Sequence, residues 1–444
     1  MMNKRMSRRN FLVVSGGTLV SLAAFGCGGT GGVQQPEGEG SEEAEGRTRV
    51  VFWSAFAEEN GEALQKLVDD FNASQEDIFI ENQFQGTYEE TAQKLATALA
   101  AQQIPDMAVL SEVTWNRFFL DDTLEPLTSY FSGGDPDPED YVESLIGEGT
   151  REGEIWWVPF ARSTPLLYYN RDMFTQAGLP DRGPETWDEL REWGRDIVLL
   201  SDNPKAHAFT NAARYNAWYF HGNVWQWGGN YSDENFNALI GEALAVEAGE
   251  FARRLIHEDE LAYAADDQTL DFANGLAATI MDSTGALGSI TSSAQFEVGT
   301  AMLPEQREFG CPTGGAGLAI LAAAPDDRKQ AAFEFIKFAA QPENIAFWSK
   351  ATGYMPVTKS AQESSEMQSY FQENPNFKVA VDQLPDTQPQ DTARTIIPNG
   401  DTTIGTGLER IFVSNEPAEA VFGEVAQQLE TDAQDVKELA AGRL

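Results

Sequence analysis

The sequence predicts an α/β fold, and three observations carry that expectation. Over residues 48–110, apolar strand-like runs alternate with stretches of helical periodicity, a spacing that argues for a parallel sheet covered by helices. The length of 444 residues exceeds one small domain and allows two or three. A hydrophobic fraction of 42%, with aromatics scattered along the chain, is enough to bury a sizeable core.

Residues 48–53 form an apolar β run, and 59–71 place Leu64, Leu67, Val68 and Phe71 on one helical face. A second strand is expected at 78–83 and a second helix at 88–102. A third strand follows at 107–110, bounded by Pro105. Residues 156–170 give two extended runs split by Pro165. Thr186-Trp187-Asp188-Glu189 is a capped helix start. The stretch 211–230 is dense in aromatics and Asn, Trp218 and Trp225 among them. Helices are expected at about 242–256 and 269–272. A strand at 277–281 then runs into the small-residue turn Asp282-Ser283-Thr284-Gly285. That turn sets hydroxyls and backbone N–H groups where a helix begins, at about Ala286, which is a ready anion site. A strand at 296–303 and a glycine-rich passage, Thr313 to Gly317, lead to another apolar run. Residues 328–347 read as one helix and 351–357 as a loop. The remainder reads as helical, apart from a turn-rich 385–407.

The charge narrows the function. Seventy acidic residues face 30 basic ones, a net charge of −40. Phosphate-backbone binding needs a basic face, so nucleic acid is excluded as a partner. An acidic, lysine-poor surface over a full apolar complement suits a protein kept hydrated in concentrated salt. There a Debye length of about 3 Å at 1 M silences self-repulsion.

Residues 1–26 read as an export signal: Lys4 and Arg5, then Ser7-Arg8-Arg9-Asn10-Phe11-Leu12 and an apolar run to Phe25. The paired arginines look like a twin-arginine signal, and the apolar run is too short to span about 30 Å of hydrocarbon. Leu22-Ala23-Ala24-Phe25-Gly26-Cys27 resembles a lipobox, with Ala24 at the usual leucine position, so Cys27 is the expected lipid attachment point. Residues 27–47, rich in Gly and Glu, then read as a lipid-anchored disordered tether. With Cys27 modified, Cys311 has no disulfide partner.

Several motifs point the same way. They are Ser163-Thr164-Pro165-Leu166-Leu167-Tyr168-Tyr169-Asn170, Thr186-Trp187, Asp282-Ser283-Thr284-Gly285-Ala286-Leu287, Gly314-Gly315-Ala316 and Thr352-Gly353-Tyr354-Met355-Pro356-Val357-Thr358. Together they resemble the extracellular solute-binding proteins of ABC importers, in the branch that binds sn-glycerol 3-phosphate, over about residues 48–410. The resemblance implies a two-lobed periplasmic-binding-protein fold of type II with the ligand in a cleft between lobes. Residues 48–160 and 280–316 would form lobe 1, and 161–279 and 317–444 lobe 2, with crossings near Phe160, Thr279 and Gly317.

Carried over by position, the ligand-binding set is Tyr88, Glu112, Ser163, Trp187, Ser283, Gly315, Tyr354 and Arg410. Arg410 would offer a charged fork to phosphate oxygens, and Ser163, Ser283 and Tyr354 neutral hydroxyls. Gly315 would bring an unshielded N–H, Glu112 would accept from ligand hydroxyls, and Trp187 would lie against the carbon chain. Tyr88 could serve either way. Ala161 and Arg162 depart from the family pattern, and Arg162 is either a further phosphate contact or a solvent-facing residue. Residues 211–230 align poorly, leaving Trp218 and Trp225 as candidate cleft aromatics.

The implied role is capture of sn-glycerol 3-phosphate or a glycerophosphodiester by a monomer that closes and docks on a membrane permease. No cofactor, metal or chemical step is expected. A neutral sugar or maltose-type oligosaccharide is the alternative ligand. An exported hydrolase is the rival from another class. Against it, the three histidines, His207, His221 and His257, stand in no His-Glu-x-x-His helix and no Gly-x-Ser-x-Gly elbow accompanies them, which leaves it a carboxylate pair of the glycosidase kind.

Overall fold

β1 (Thr48–Ser54) is buried from Val50 onward, as a central parallel strand covered by helices must be. It pairs in parallel with β2 (Ile78–Phe84) on one side and with β3 (Met107–Ser111) on the other. The computed structural model that gives these elements describes residues 45–440 and Arg443. The predicted export signal, Cys27 and most of the tether lie outside the described residues.

Helix Glu58–Ser74 covers the sheet through Ala63, Leu64, Leu67, Val68 and Phe71, the apolar stripe of its sequence. Helix Tyr88–Ala101 begins in a capping box. The Thr87 hydroxyl accepts from the Glu90 N–H at 3.2 Å, and the Glu90 carboxylate accepts from the Thr87 N–H at 2.9 Å. That reciprocal pair fixes Tyr88 in the first turn.

After a small hairpin, β4 (Thr150–Arg151) with β5 (Glu154–Ile155), come β6 (Val158–Ser163) and β7 (Pro165–Asn170). Pro165 is tolerated because it opens a strand rather than interrupting one. β7 enters a second sheet with β8 (Lys205–Thr210), β9 (Ala262–Ala265), β10 (Ala277–Ser283) and β11 (Val298–Ala301), in the order β11-β7-β10-β8-β9. β12 (Gly314–Ile320) returns to the first sheet, antiparallel to both β3 and β6, giving the order β2-β1-β3-β12-β6.

Sheet membership corrects the predicted lobe boundaries. Residues 48–160 build lobe 1. Of the segment 280–316 assigned to it, however, the end of β10 and all of β11 lie in the second sheet. Within 317–444, assigned to lobe 2, β12 and helices Asp326–Ala339 and Pro342–Thr352 pack on lobe 1. β10 stays in the second sheet throughout, so the chain does not cross near Thr279. It crosses at Thr164, again between β11 and β12, and again before helix Pro375–Gln383, which packs on β11. The small-residue turn after β10 points into the gap between lobes, and from sequence either lobe could carry such a turn.

Two element predictions change as well. The single helix expected over 328–347 is two, because Pro342 cannot continue a helix and instead starts the second. The turn-rich reading of 385–407 hides helix Gly400–Phe412. Its glycines serve packing: a Cβ on Gly405 would stand 1.8 Å from the Ala213 carbonyl oxygen, so only a bare Cα lets it lie on helix Ala213–Gln226. No helix among the described residues is long and apolar enough to cross a membrane.

Candidate ligand cleft

The carboxyl ends of β1, β3, β6, β8 and β10 open on one gap between the two sheets, the usual place for a ligand in α/β folds. The gap is a cleft of about 710 Å³. Tyr88, Glu112, Ser163, Ser283, Gly315 and Tyr354 line it, brought together from distant parts of the chain.

The Tyr88 hydroxyl lies 3.3 Å from that of Tyr354, whose ring stacks on Trp348 at 5.9 Å between centroids. Burial pushes both phenols up, Tyr354 to about 12, so both are neutral donors at ordinary pH. Ser283 is held by its neighbour Asp282. That carboxylate accepts from the Tyr219 hydroxyl at 2.8 Å, the Thr269 hydroxyl at 2.7 Å and the Ser283 N–H at 2.7 Å. The Ser283 Oγ accepts from the Gly285 N–H at 3.1 Å, which leaves its own proton to donate into the cleft. The turn predicted as a helix-start anion site is a 3-10 turn, Thr284–Ala286, before a helix of only seven residues, Leu287–Ser293. With the Gly285 N–H consumed locally, that turn contributes a hydroxyl rather than a nest of N–H groups.

Gly315 sits at φ +101°, and a Cβ there would meet the Ala161 carbonyl oxygen at 2.0 Å. Glycine is therefore required. Its carbonyl accepts from the Glu112 N–H at 3.0 Å, tying β12 to the end of β3. Ser163 closes β6 opposite Gly314. Glu112 is 7% exposed, and its Oε1 accepts from Arg394 Nη1 at 3.1 Å and from Gln390 Nε2 at 3.2 Å.

Trp187 and Arg410 stand elsewhere. Trp187 follows the cap Thr186, and the first turn of its helix faces β8, so the indole is fully buried in lobe 2. It donates to Gln226 Oε1 at 2.6 Å and lies nearly parallel to Phe209. Arg410 is in the last turn of helix Gly400–Phe412. Asp401, at the other end, lines the cleft. At about 1.5 Å per residue, Arg410 stands about 13 Å further along. Its guanidinium bonds Glu416 at 2.6 Å and Glu424 at 2.7 Å on the surface, and these two carboxylates raise its pKa.

The cation that does line the cleft is Arg394, 6% exposed, on the short helix Thr392–Thr395. Its N–H donates to the Asp391 carbonyl at 3.0 Å, and the Asp391 carboxylate in turn accepts from the Tyr231 N–H at 2.7 Å. Sequence reasoning passed over it inside a segment read as turns. A signal was present: Arg394 is the lone basic residue between Lys378 and Arg410 in a chain poor in bases. Among the described residues lining the cleft, Arg394 shares it with six carboxylates, Glu89, Glu112, Asp266, Asp267, Asp282 and Asp401, and pairs with Glu112.

Helix Ala213–Gln226 supplies the aromatic wall. Trp218 donates from Nε1 to the Thr313 carbonyl at 3.0 Å and lies against Gly314, where a Cβ would be 2.3 Å from the ring. Tyr215 and Tyr219 flank it. Trp225 is buried away from the cleft, against His221 at 4.0 Å. Arg162 neither faces solvent nor lines the cleft; it is fully buried and bonds Glu148 at 2.6 Å.

None of the three histidines lines the cleft. Thr279 gives its hydroxyl proton to the Ala206 carbonyl at 2.6 Å, so the His207 Nδ1–H must donate to Thr279 Oγ1 at 2.9 Å. Burial lowers the pKa of that imidazole to about 3. Burial likewise pushes up the Cys311 thiol, keeping it protonated and unreactive.

Residues 66–379 match a family model described as bacterial extracellular solute-binding protein. Among solved structures, UgpB from Mycobacterium tuberculosis in complex with glycerophosphocholine matches with a TM-score of 0.83 and 38% identity. The match covers 88% of this chain and 99% of that one. The sn-glycerol-3-phosphate-binding periplasmic protein UgpB of Yersinia enterocolitica is 28% identical over 369 residues, 76% of this chain and 80% of the relative. A cyclic α-maltosyl-1,6-maltose binding protein from Arthrobacter globiformis has the same fold at TM-score 0.76. Its identity is 24%, over 88% of this chain and all of that one.

Proposed function

This chain belongs to the bacterial extracellular solute-binding protein family, and we propose that it captures a glycerophosphodiester for an ABC importer and delivers it to the membrane permease. One observation carries the ligand class: a buried arginine and neutral hydroxyls meet in a single cleft whose other charged lining groups, among the described residues, are carboxylates. The Arg394 guanidinium is the partner for a phosphate, with the Ser163, Ser283, Tyr88 and Tyr354 hydroxyls and the Gly315 backbone around it. Glu112 serves as acceptor for glycerol hydroxyls. The charge balance favours a diester, which carries one negative charge, over a monoester such as sn-glycerol 3-phosphate, which carries about −1.5 to −2 at pH 7. Trp218, Tyr215 and Tyr219 offer faces for an organic head group. The relatives named above, one of them with glycerophosphocholine bound, support the same class.

Capture proceeds by closure about the three crossings, with the Glu112–Arg394 pair reaching from lobe to lobe. It involves no chemical step, and the protein acts as a monomer. Lipid attachment at Cys27 holds it at the outer face of the cytoplasmic membrane, and Cys27→Ala should release it into the medium. A variant that stays membrane-bound would refute the anchor. Calorimetry with glycerophosphocholine, sn-glycerol 3-phosphate and maltose tests the ligand. Glycerophosphocholine should bind, sn-glycerol 3-phosphate more weakly, and maltose not at all. Tight maltose binding without phosphodiester binding would overturn the reading.

A further inference from the structure

Thr313, just before β12, is fully buried and joins the two lobes at one residue. On the lobe 1 side its hydroxyl donates to Glu148 Oε1, whose other oxygen accepts from Arg162 Nη2 at 2.6 Å. Arg162 is buried over the Trp157 ring, 4.9 Å from its centroid. On the lobe 2 side the Thr313 carbonyl accepts twice, from Trp218 Nε1 at 3.0 Å and from Gln390 Nε2 at 2.7 Å. Its N–H donates to the Gln388 carbonyl at 3.1 Å. The Gln390 amide oxygen in turn accepts from Arg394 Nη1, and its nitrogen also reaches Glu112 at 3.2 Å. One peptide plane therefore orients both the aromatic wall and the cation of the cleft, and a single hydroxyl ties that plane to the buried ion pair behind it.

We propose that Thr313 is a positioning residue for the ligand site, coupling the buried Glu148–Arg162 pair of lobe 1 to Trp218 and Gln390 of lobe 2. It touches no ligand itself and acts through the direction of its carbonyl. A valine at 313 has nearly the same shape, yet it cannot donate to Glu148. The peptide plane then keeps its bonds to lobe 2 and β12 but loses its tie to the buried pair, so its direction, and with it that of the indole and the Gln390 amide, is held less firmly. The proposal rests on the reading of the cleft as a glycerophosphodiester site.

The test is calorimetry with glycerophosphocholine on Thr313→Val, Thr313→Ser and the parent, each checked for folding by its melting curve. Thr313→Val should weaken binding by about tenfold or more, and Thr313→Ser, which keeps the hydroxyl, by no more than about threefold. In a Trp218→Phe background, where the indole N–H is already gone, the Thr313→Val loss should shrink, since the two act on one contact. Should Thr313→Val fail to fold, Thr313→Ala carries the same comparison against Thr313→Ser. Equal affinity in Thr313→Val and the parent would overturn the inference alone. So would equal losses in the valine and serine variants, or additive losses in the cycle. Absence of glycerophosphocholine binding by the parent would refute the cleft reading and this inference with it.

Discussion

Replacing Arg394 with Gln removes the cleft's cation among its described residues while keeping a shorter, neutral polar side chain. A guanidinium and a phosphate about 4 Å apart attract by about 4 kcal/mol at an effective dielectric near 20. Desolvation takes back part of this, and hydrogen bonds to charged groups retain about 1.5–3 kcal/mol, which is about 10- to 150-fold in Kd. The loss should lie toward the larger figure here, because Arg394 is 6% exposed and Glu112, left with Gln390 alone, would repel the incoming phosphate. Arg394→Lys keeps the charge but not the planar fork, so it should lose less. Arg410→Ala serves as the control: its guanidinium is engaged by Glu416 and Glu424 on the surface, and binding should be unchanged. Calorimetry with glycerophosphocholine measures all three, with circular dichroism to confirm folding. Unchanged affinity in Arg394→Gln, or a loss in Arg410→Ala as large as that in Arg394→Gln, would refute the assignment of the phosphate to Arg394.

Other perturbations probe the frame around the cleft. Gly315→Ala places a Cβ 2.0 Å from the Ala161 carbonyl oxygen at φ +101°, strain of about 1–3 kcal/mol or more; a lowered melting temperature and weakened binding should appear together, and an unshifted melting curve would contradict the geometry. Trp187→Phe leaves the buried Gln226 amide oxygen without its donor, costing about 1–3 kcal/mol of stability in denaturation while the Kd of the folded protein stays the same. His207 has a folded pKa of about 3, far below its unfolded value, so the unfolded chain takes the proton first. Its contribution to stability is intact above about pH 6.5 and is lost as pH falls toward 3, at about 1.4 kcal/mol per pH unit. His207→Gln should flatten the difference in melting temperature between pH 7 and pH 4.5, and an equal acid dependence in parent and variant would sink the assignment. Finally, with a net charge of −40, raising NaCl from about 0.1 to 2 M should raise the melting temperature by screening self-repulsion, and a flat or falling trend would contradict the salt-adapted reading.

Much of the frame was legible because strand and helix periods write themselves into apolar spacing. The runs around Val50, Ile80 and Val109 and the stripe from Leu64 to Phe71 announce the first sheet and its cover. Residues on sharp backbone features were legible too: Gly315, at positive φ near the start of β12, and Ser283, capping the turn at the end of β10, are small residues that mark the cleft edge. Burial direction was not legible. Trp187 and Tyr88 both occupy first turns of capped helices, yet one turns inward to β8 and the other toward the gap, and nothing local distinguishes them. The same limit explains Arg410 and Arg394. Which arginine reaches the cleft depends on how helix Gly400–Phe412 packs on helix Ala213–Gln226, a long-range outcome decided partly by the bare Cα of Gly405. Lobe boundaries failed for a related reason, since strand order, rather than strand existence, fixes which sheet β10 joins.

A crystal structure of the chain with glycerophosphocholine tests the central claim most directly. The account predicts the phosphate within hydrogen-bond distance of the Arg394 guanidinium, the glycerol hydroxyls on Glu112, and the choline end toward Trp218. A phosphate lying away from Arg394, or a ligand seated outside the cleft that Ser163, Ser283 and Gly315 line, would contradict it.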